Sequence, residues 1–329
     1  MIDLRSDTVT HPTEAMLDAM QSATFGDDSR DGDATVQKLE ALAAVRTGKE
    51  AAVFVPSGTM SNLVSLLAHA DRGGEVLVEG TSHILTAELG GVGNLAAMFY
   101  RGLPGKRGAM DVEALREHIR PRISRNQLGT ALVWMETSHN AAGGAVLPLA
   151  HMAEVRTLAR DHAVPVHIDG ARIFNAAAAL GTRAQDVAKH GDTVSFCVSK
   201  GLSAPVGSLI CGSREFTERA RGFRRMVGGN MRQAGPIAAA GIVALENMVE
   251  RLPEDHRTAQ RLASGLHAID ASIIDPATVE TNLVRVSVRA SGRKAAEWSA
   301  QMKQRGQFAI LHVAYRLFQG AGEIDAVRP

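Results

Sequence analysis

A lysine at the end of an apolar run is the side chain around which chemistry can be built. Residues Thr193 to Gly207 read Thr-Val-Ser-Phe-Cys-Val-Ser-Lys-Gly-Leu-Ser-Ala-Pro-Val-Gly, so Lys200 stands where a buried strand gives way to a turn of small residues. Lysine is seldom buried unless it is paired or used. A desolvated lysine has a lowered pKa and attacks carbonyl groups, which is the Schiff-base chemistry of pyridoxal 5'-phosphate (PLP) enzymes. Taken alone, Lys200 reads more readily as a side chain that leaves the strand end for solvent.

Three further groups fall at corresponding places. Asp169 ends the run Val164-Pro165-Val166-His167-Ile168-Asp169, and His83 follows the short strand Glu75-Val76-Leu77-Val78. Between the strand Ala51–Val55 and a helix carrying Asn62, Leu63, Leu66, Leu67 and Ala70 lies Ser57-Gly58-Thr59. A strand, a glycine turn and a helix start direct free backbone N–H groups at an anion, and Ser57 and Thr59 add hydroxyl donors. An N-capped helix with no ligand would have the same local sequence. PLP needs an amine for its imine, a carboxylate facing the pyridine nitrogen, a phosphate cradle and a group flat against its ring. Lys200, Asp169, the Ser57–Thr59 turn and His83 supply these four parts together.

The elements that would position them alternate between strand and helix. Strands are expected at 51–55, 75–78, 131–136, 166–169, 193–200 and 206–211. Helices are expected at 12–22, 35–46, from 62, and at 149–162, 173–180, 213–226 and 234–251. This alternation predicts an α/β fold with a mainly parallel sheet covered by helices, in which ligands sit at the carboxyl ends of strands. The segment 26–33, Gly-Asp-Asp-Ser-Arg-Asp-Gly-Asp, reads as a loop too charged for the core. From Leu252 the pattern changes: a helix at 255–269, a strand-like run at 282–288, a helix at 293–304 and an apolar run at 308–318. The expected division is a large PLP-binding domain over 1–251, including the N-terminal segment, and a smaller α+β domain over 252–329.

Composition narrows the class. The 329 residues include 36 basic and 35 acidic side chains, for a net charge of +1, and are 45% hydrophobic. That balance suggests neither a nucleic-acid nor a membrane partner. Cys197 and Cys211 lie in separate apolar runs, which excludes a disulfide framework and fits a reduced, cytoplasmic protein. No apolar run reaches about 18 residues and the N-terminus lacks a signal-peptide core. Walker A fails, since Gly48-Lys49 precedes Glu50 and Gly105-Lys106 precedes Arg107; Gly91-Val92-Gly93 follows no expected strand. No metal-ligand pattern is evident.

Five stretches carry a closer likeness: 3–10 (DLRSDTVT), 56–60 (PSGTM), 167–172 (HIDGAR), 199–207 (SKGLSAPVG) and 231–235 (MRQAG). Together they resemble the low-specificity L-threonine aldolases of the β-eliminating lyase group, PLP enzymes of the aspartate aminotransferase fold type, from about residue 2 to 251 and more loosely beyond. The resemblance implies that Lys200 holds PLP covalently, Asp169 faces its pyridine nitrogen, His83 stacks on its ring, and Gly58 and Thr59 hold its phosphate. It implies that Arg232 reaches the phosphate in a neighbouring subunit of a homodimer or homotetramer. Ser6, Arg172 and Arg316 match residues that bind the substrate carboxylate, with Arg172 also beside the cofactor. The implied reaction cleaves threonine and related β-hydroxy-α-amino acids to glycine and an aldehyde. His83 is the candidate base for the β-hydroxyl, with Glu88 and Glu136 as further candidates. β-Elimination, racemisation and a non-catalytic binding module remain alternatives. The chain departs from the family at Arg30, which replaces an aromatic residue, at Asn126 in place of a histidine, and in the tail after Arg316.

Overall fold

A computed structural model describes residues 2–70, 73–120 and 126–308. Seven strands form the central sheet: β1 (Ala51–Val55), β2 (Glu75–Glu79), β3 (Phe99–Leu103), β4 (Thr130–Glu136), β5 (Val166–Asp169), β6 (Thr193–Cys197) and β7 (Ser208–Gly212). Their order across the sheet is β1-β7-β6-β5-β4-β2-β3. β7 runs antiparallel to both its neighbours, and the remaining pairs are parallel.

The alternation of side chains explains why strands read as unbroken apolar runs. Leu77, Val133 and Met135 join the larger core on one face, whereas Val76, Val78, Leu132 and Trp134 join a second cluster on the other. A sheet covered on both faces needs apolar side chains at odd and even positions alike. β3 lacks that signature because it is an edge strand, with only Leu103 buried, and the sequence reading missed it.

Three helices precede the site. α1 (Glu14–Ser22) starts at the Thr13 cap, so Pro12 lies just outside it. α2 (Ala34–Thr47) is capped by Asp33 and stops at Gly48, which takes a left-handed conformation. α3 (Gly58–His69) begins at the Ser57 cap, whose side chain accepts from the Met60 N–H. The segment 26–33 is a loop as expected, yet part of its charge is core. Asp33 is fully buried, because its carboxylate accepts the amides of Gly26, Thr35, Val36 and Gly235. Four backbone donors satisfy a carboxylate that would otherwise not tolerate burial.

Beyond the sheet, the helix Leu252–Ile269 places Ala259 and Ala263 against Ile274 and Val279. The run 282–288 is not a strand. Val284 and Val286 pack on that cluster, so the alternating pattern reflects one buried side without a ladder partner among the described residues. Ile2–Asp3 pairs in parallel with Gln307–Phe308, tying the two ends of the described chain together. Among the described residues no helix is long and apolar enough to cross a membrane.

Candidate active site

The carboxyl ends of β2, β4, β5 and β6 meet in the middle of the sheet, where the order of connections sets neighbouring loops apart. Asp169, the last residue of β5, is buried there. Its Oδ1 accepts the Ala171 N–H at 3.1 Å and its Oδ2 accepts Asn62 Nδ2 of α3 at 3.0 Å. Lys200 lies three residues past β6, half-buried, and its carbonyl accepts Thr10 Oγ1 at 3.0 Å. Its amine makes no hydrogen bond or salt bridge among the described residues, and its charge lowers the pKa of Asp7.

His83 opens a short helix, His83–Thr86, after β2. Its backbone N–H donates to Glu136 Oε2 at 2.6 Å, and its ring Nδ1 lies 2.8 Å from Glu88 Oε1. A carboxylate there selects the Nδ1–H tautomer and leaves Nε2 as the free nitrogen. The Glu88 hydrogen bond raises the His83 pKa, against the opposing effect of burial. Each Glu136 oxygen takes one backbone N–H: Oε2 that of His83 and Oε1 that of Asn140, at 2.7 Å. Burial pushes its pKa up. It anchors two loops at the strand ends. Behind it His139, fully buried, contacts Glu79 at 3.1 Å. Burial would lower the His139 pKa, but the Glu79 hydrogen bond and the Glu136 charge raise it.

The helix start that could take a phosphate has the expected form. Ser57 and Thr59 are exposed, and the first-turn amides have no intrahelical acceptor. A Cβ on Gly58 would lie 3.0 Å from Cys197 Sγ of β6. Only glycine lets the turn approach β6 this closely without displacing the cysteine.

The substrate-side residues are arranged less simply. Arg172 is buried and its Nε and Nη2 donate to the two oxygens of Asp7 at 2.6 and 2.7 Å. Asn282 Nδ2 also donates to Asp7, at 3.1 Å. Burial alone would raise the Asp7 pKa; Arg172 more than offsets this and holds it below the ordinary carboxylate value. Ser6 caps the short 3-10 turn Asp7–Val9, placing its hydroxyl on Thr8 N at 3.2 Å. Arg232 stands apart with an exposed side chain, bonded to Ser29 and, at 3.2 Å, to Asp27. Arg30 and Asn126 are both exposed. Arg316 lies outside the described residues.

The structure thus brings Lys200, Asp169, His83 and Arg172 to one side of the sheet through the strand ends that carry them. Asn62 and Asp7 were not singled out as site residues from sequence. Asp7 lies within the 3–10 stretch, which was a signal available for it; Asn62 had none beyond its place on the helix after the turn.

These elements are shared with known proteins. A family model described as Beta-eliminating lyase matches residues 3–289. The chain is 42% identical over 320 residues to "Probable low-specificity L-threonine aldolase 2" of Arabidopsis thaliana, covering 96% of this chain and 90% of that protein. It is 41% identical over 309 residues to "Low specificity L-threonine aldolase" of Escherichia coli (strain K12), covering 93% and 89%. The fold is that of a solved putative L-allo-threonine aldolase of Listeria monocytogenes EGD-E, with a TM-score of 0.71 at 20% identity, covering 82% of this chain and 74% of that one. The strand-end arrangement and the length of the match lead to one statement: the chain belongs to the beta-eliminating lyase family.

Proposed function

We propose that this protein is a PLP-dependent aldolase that cleaves L-threonine, L-allo-threonine and related β-hydroxy-α-amino acids to glycine and an aldehyde. The observation that carries the reading is the 42% identity, over nearly the whole chain, to a relative named as a low-specificity L-threonine aldolase. The site residues fit PLP: a buried carboxylate on Asp169, an amine without a partner among the described residues on Lys200, and a glycine turn in which a side chain would crowd Cys197. Lys200 Nζ would hold the cofactor, Asp169 its ring nitrogen, His83 its ring face, and Ser57, Gly58 and Thr59 its phosphate. When bound, PLP supplies an electron sink for the pair released at the substrate Cα.

The remaining work falls to the chain. Arg172 offers the substrate carboxylate its Nη1, since Asp7 already takes Nε and Nη2. Ser6 and Arg316 are assigned to the same carboxylate. Fixing that group decides which bond at Cα can break. His83 Nε2 accepts the β-hydroxyl proton while Glu88 holds Nδ1–H, so the imidazole gains its second proton beside a carboxylate. The Cα–Cβ bond then breaks, the aldehyde leaves, and Cα takes a proton to become glycine.

Two further parts of the reading concern the whole molecule. Arg232 is assigned to the cofactor phosphate of a neighbouring subunit, in a homodimer or homotetramer; its side chain is exposed, held by Ser29 and Asp27 of the 26–33 loop. The chain is divided into a large domain over 1–251 and a small one over 252–329, with the Ile2–Asp3 pairing linking them. A cytoplasmic location agrees with two buried free cysteines.

The test is product analysis. Protein supplied with PLP and L-threonine should release acetaldehyde and glycine in equal amounts. Release of 2-oxobutanoate and ammonia would establish elimination instead, and D-threonine would indicate racemisation.

A further inference from the structure

Asn62 is buried on α3 and touches both carboxylates of the site. Its Nδ2 donates to Glu88 Oε1 at 2.7 Å and to Asp169 Oδ2 at 3.0 Å. Its Oδ1 accepts from Ser195 Oγ of β6 at 3.4 Å. An asparagine amide has two N–H donors, and here both are used. The opposite orientation would set Oδ1 against two carboxylate oxygens, so the network decides which way the amide lies. The residues behind it agree. Burial holds His167 well below its ordinary pKa, so its ring has a single N–H. His167 Nδ1 faces Thr193 Oγ1 at 2.8 Å and Nε2 faces Ser195 Oγ at 3.3 Å. With that N–H directed at Ser195, the serine keeps its own proton for Asn62 Oδ1.

Glu88 Oε1 is also the acceptor for His83 Nδ1. A continuous path of hydrogen bonds therefore runs Asp169–Asn62–Glu88–His83. Buried carboxylate oxygens need hydrogen-bond donors. A neutral amide serves both. A lysine or arginine at this position would also donate, but its charge would compete with the cofactor for Asp169.

We propose that Asn62 is the positioning residue that couples these two carboxylates, aiming Asp169 at the cofactor and, through Glu88, fixing the tautomer and orientation of His83. The inference rests on the function proposed above. A residue that only packs α3 against the sheet would act on Asp169 and on His83 independently, or on neither.

The test is a double-mutant cycle of Asn62→Ala and Glu88→Gln, read as kcat, KM and the visible absorption band of bound PLP. Asn62→Ala should lower kcat by about tenfold or more with KM within about threefold of wild type. It should also shift the band of the substrate-free protein, a readout that does not depend on turnover. The double variant should be no more than about threefold worse than the weaker single one, since both changes break the same path. Asn62→Asp, of equal size but lacking the donors, should resemble Asn62→Ala. Should both Asn62 variants lose the fold, Ser195→Ala, which removes only the hydroxyl that orients the amide, carries the same cycle. Wild-type kcat and an unchanged band in the variants, or losses that multiply with Glu88→Gln, would overturn the coupling. A wild-type protein that binds no PLP or leaves threonine intact would instead overturn the proposed function.

Discussion

Asp169 and Arg172 stand three residues apart, yet they are held by different parts of the chain. The Asp169 carboxylate is fixed by its own turn, through Ala171 N–H, and by α3, which begins at the end of β1. Arg172 is fixed by Asp7 near the N-terminus, and Asp7 in turn by Asn282 beyond the sheet. The first site is a property of the sheet: strand ends converge wherever parallel strands with helical connections are built. The second exists only when three distant segments come together. The sheet side carries the groups assigned to the cofactor, and the seam carries those assigned to the substrate. Of the positions where the chain departs from the family, Arg30 and Asn126 are both exposed.

Substitutions at four positions separate the two regions. Lys200→Ala should have the largest effect, abolishing the visible band of bound PLP and lowering turnover by at least about a thousandfold. Turnover within tenfold of wild type would remove Lys200 from the centre of the site. Asp169→Ala should keep some bound PLP but lower kcat by about a hundredfold or more, with little change in KM. A change confined to KM would move Asp169 to the substrate side.

At the seam the expected loss is of stability as well as activity. Asp7→Ala leaves the buried Arg172 guanidinium without its acceptor, at a cost of about 3–5 kcal/mol in urea denaturation. Asp7→Asn, which retains one acceptor oxygen, should lose less. Equal stability of Asp7→Ala and wild type would show that the seam is solvated.

The smallest effect concerns pH, and it has opposite signs in the two regions. The folded pKa of His83 is raised, first by Glu88. Its contribution is fully present below the unfolded value of about 6.5 and is lost as pH rises through the folded one. The folded pKa of Asp7 is lowered, so its contribution is present above about 3.9 and lost as pH falls through the folded value. Glu88→Gln should therefore be less stable than wild type mainly on the acid side of neutrality, with the gap closing at alkaline pH. A gap that does not depend on pH would mean that Glu88 does not act through His83.

The sequence by itself determined six of the seven strands of the sheet, the longer helices between them, and the places of Asp169, His83 and Lys200 at or just past strand ends. These follow from local runs of apolar residues, which need no knowledge of what they pack against. It also carried the Ser57-Gly58-Thr59 turn, because a helix start is a local event. Tertiary structure alone decided the rest. β3 was invisible because an edge strand need not be apolar, and 282–288 is no strand because alternation reports a buried side and not a partner. Asp33 proved to be core because its four amide donors come from separated segments. Asn62 was silent, and Asp7 was marked only by its place in the 3–10 stretch, for the same reason. Their partners lie far along the chain, and a hydrogen bond between distant segments leaves no periodicity in the sequence to reveal it.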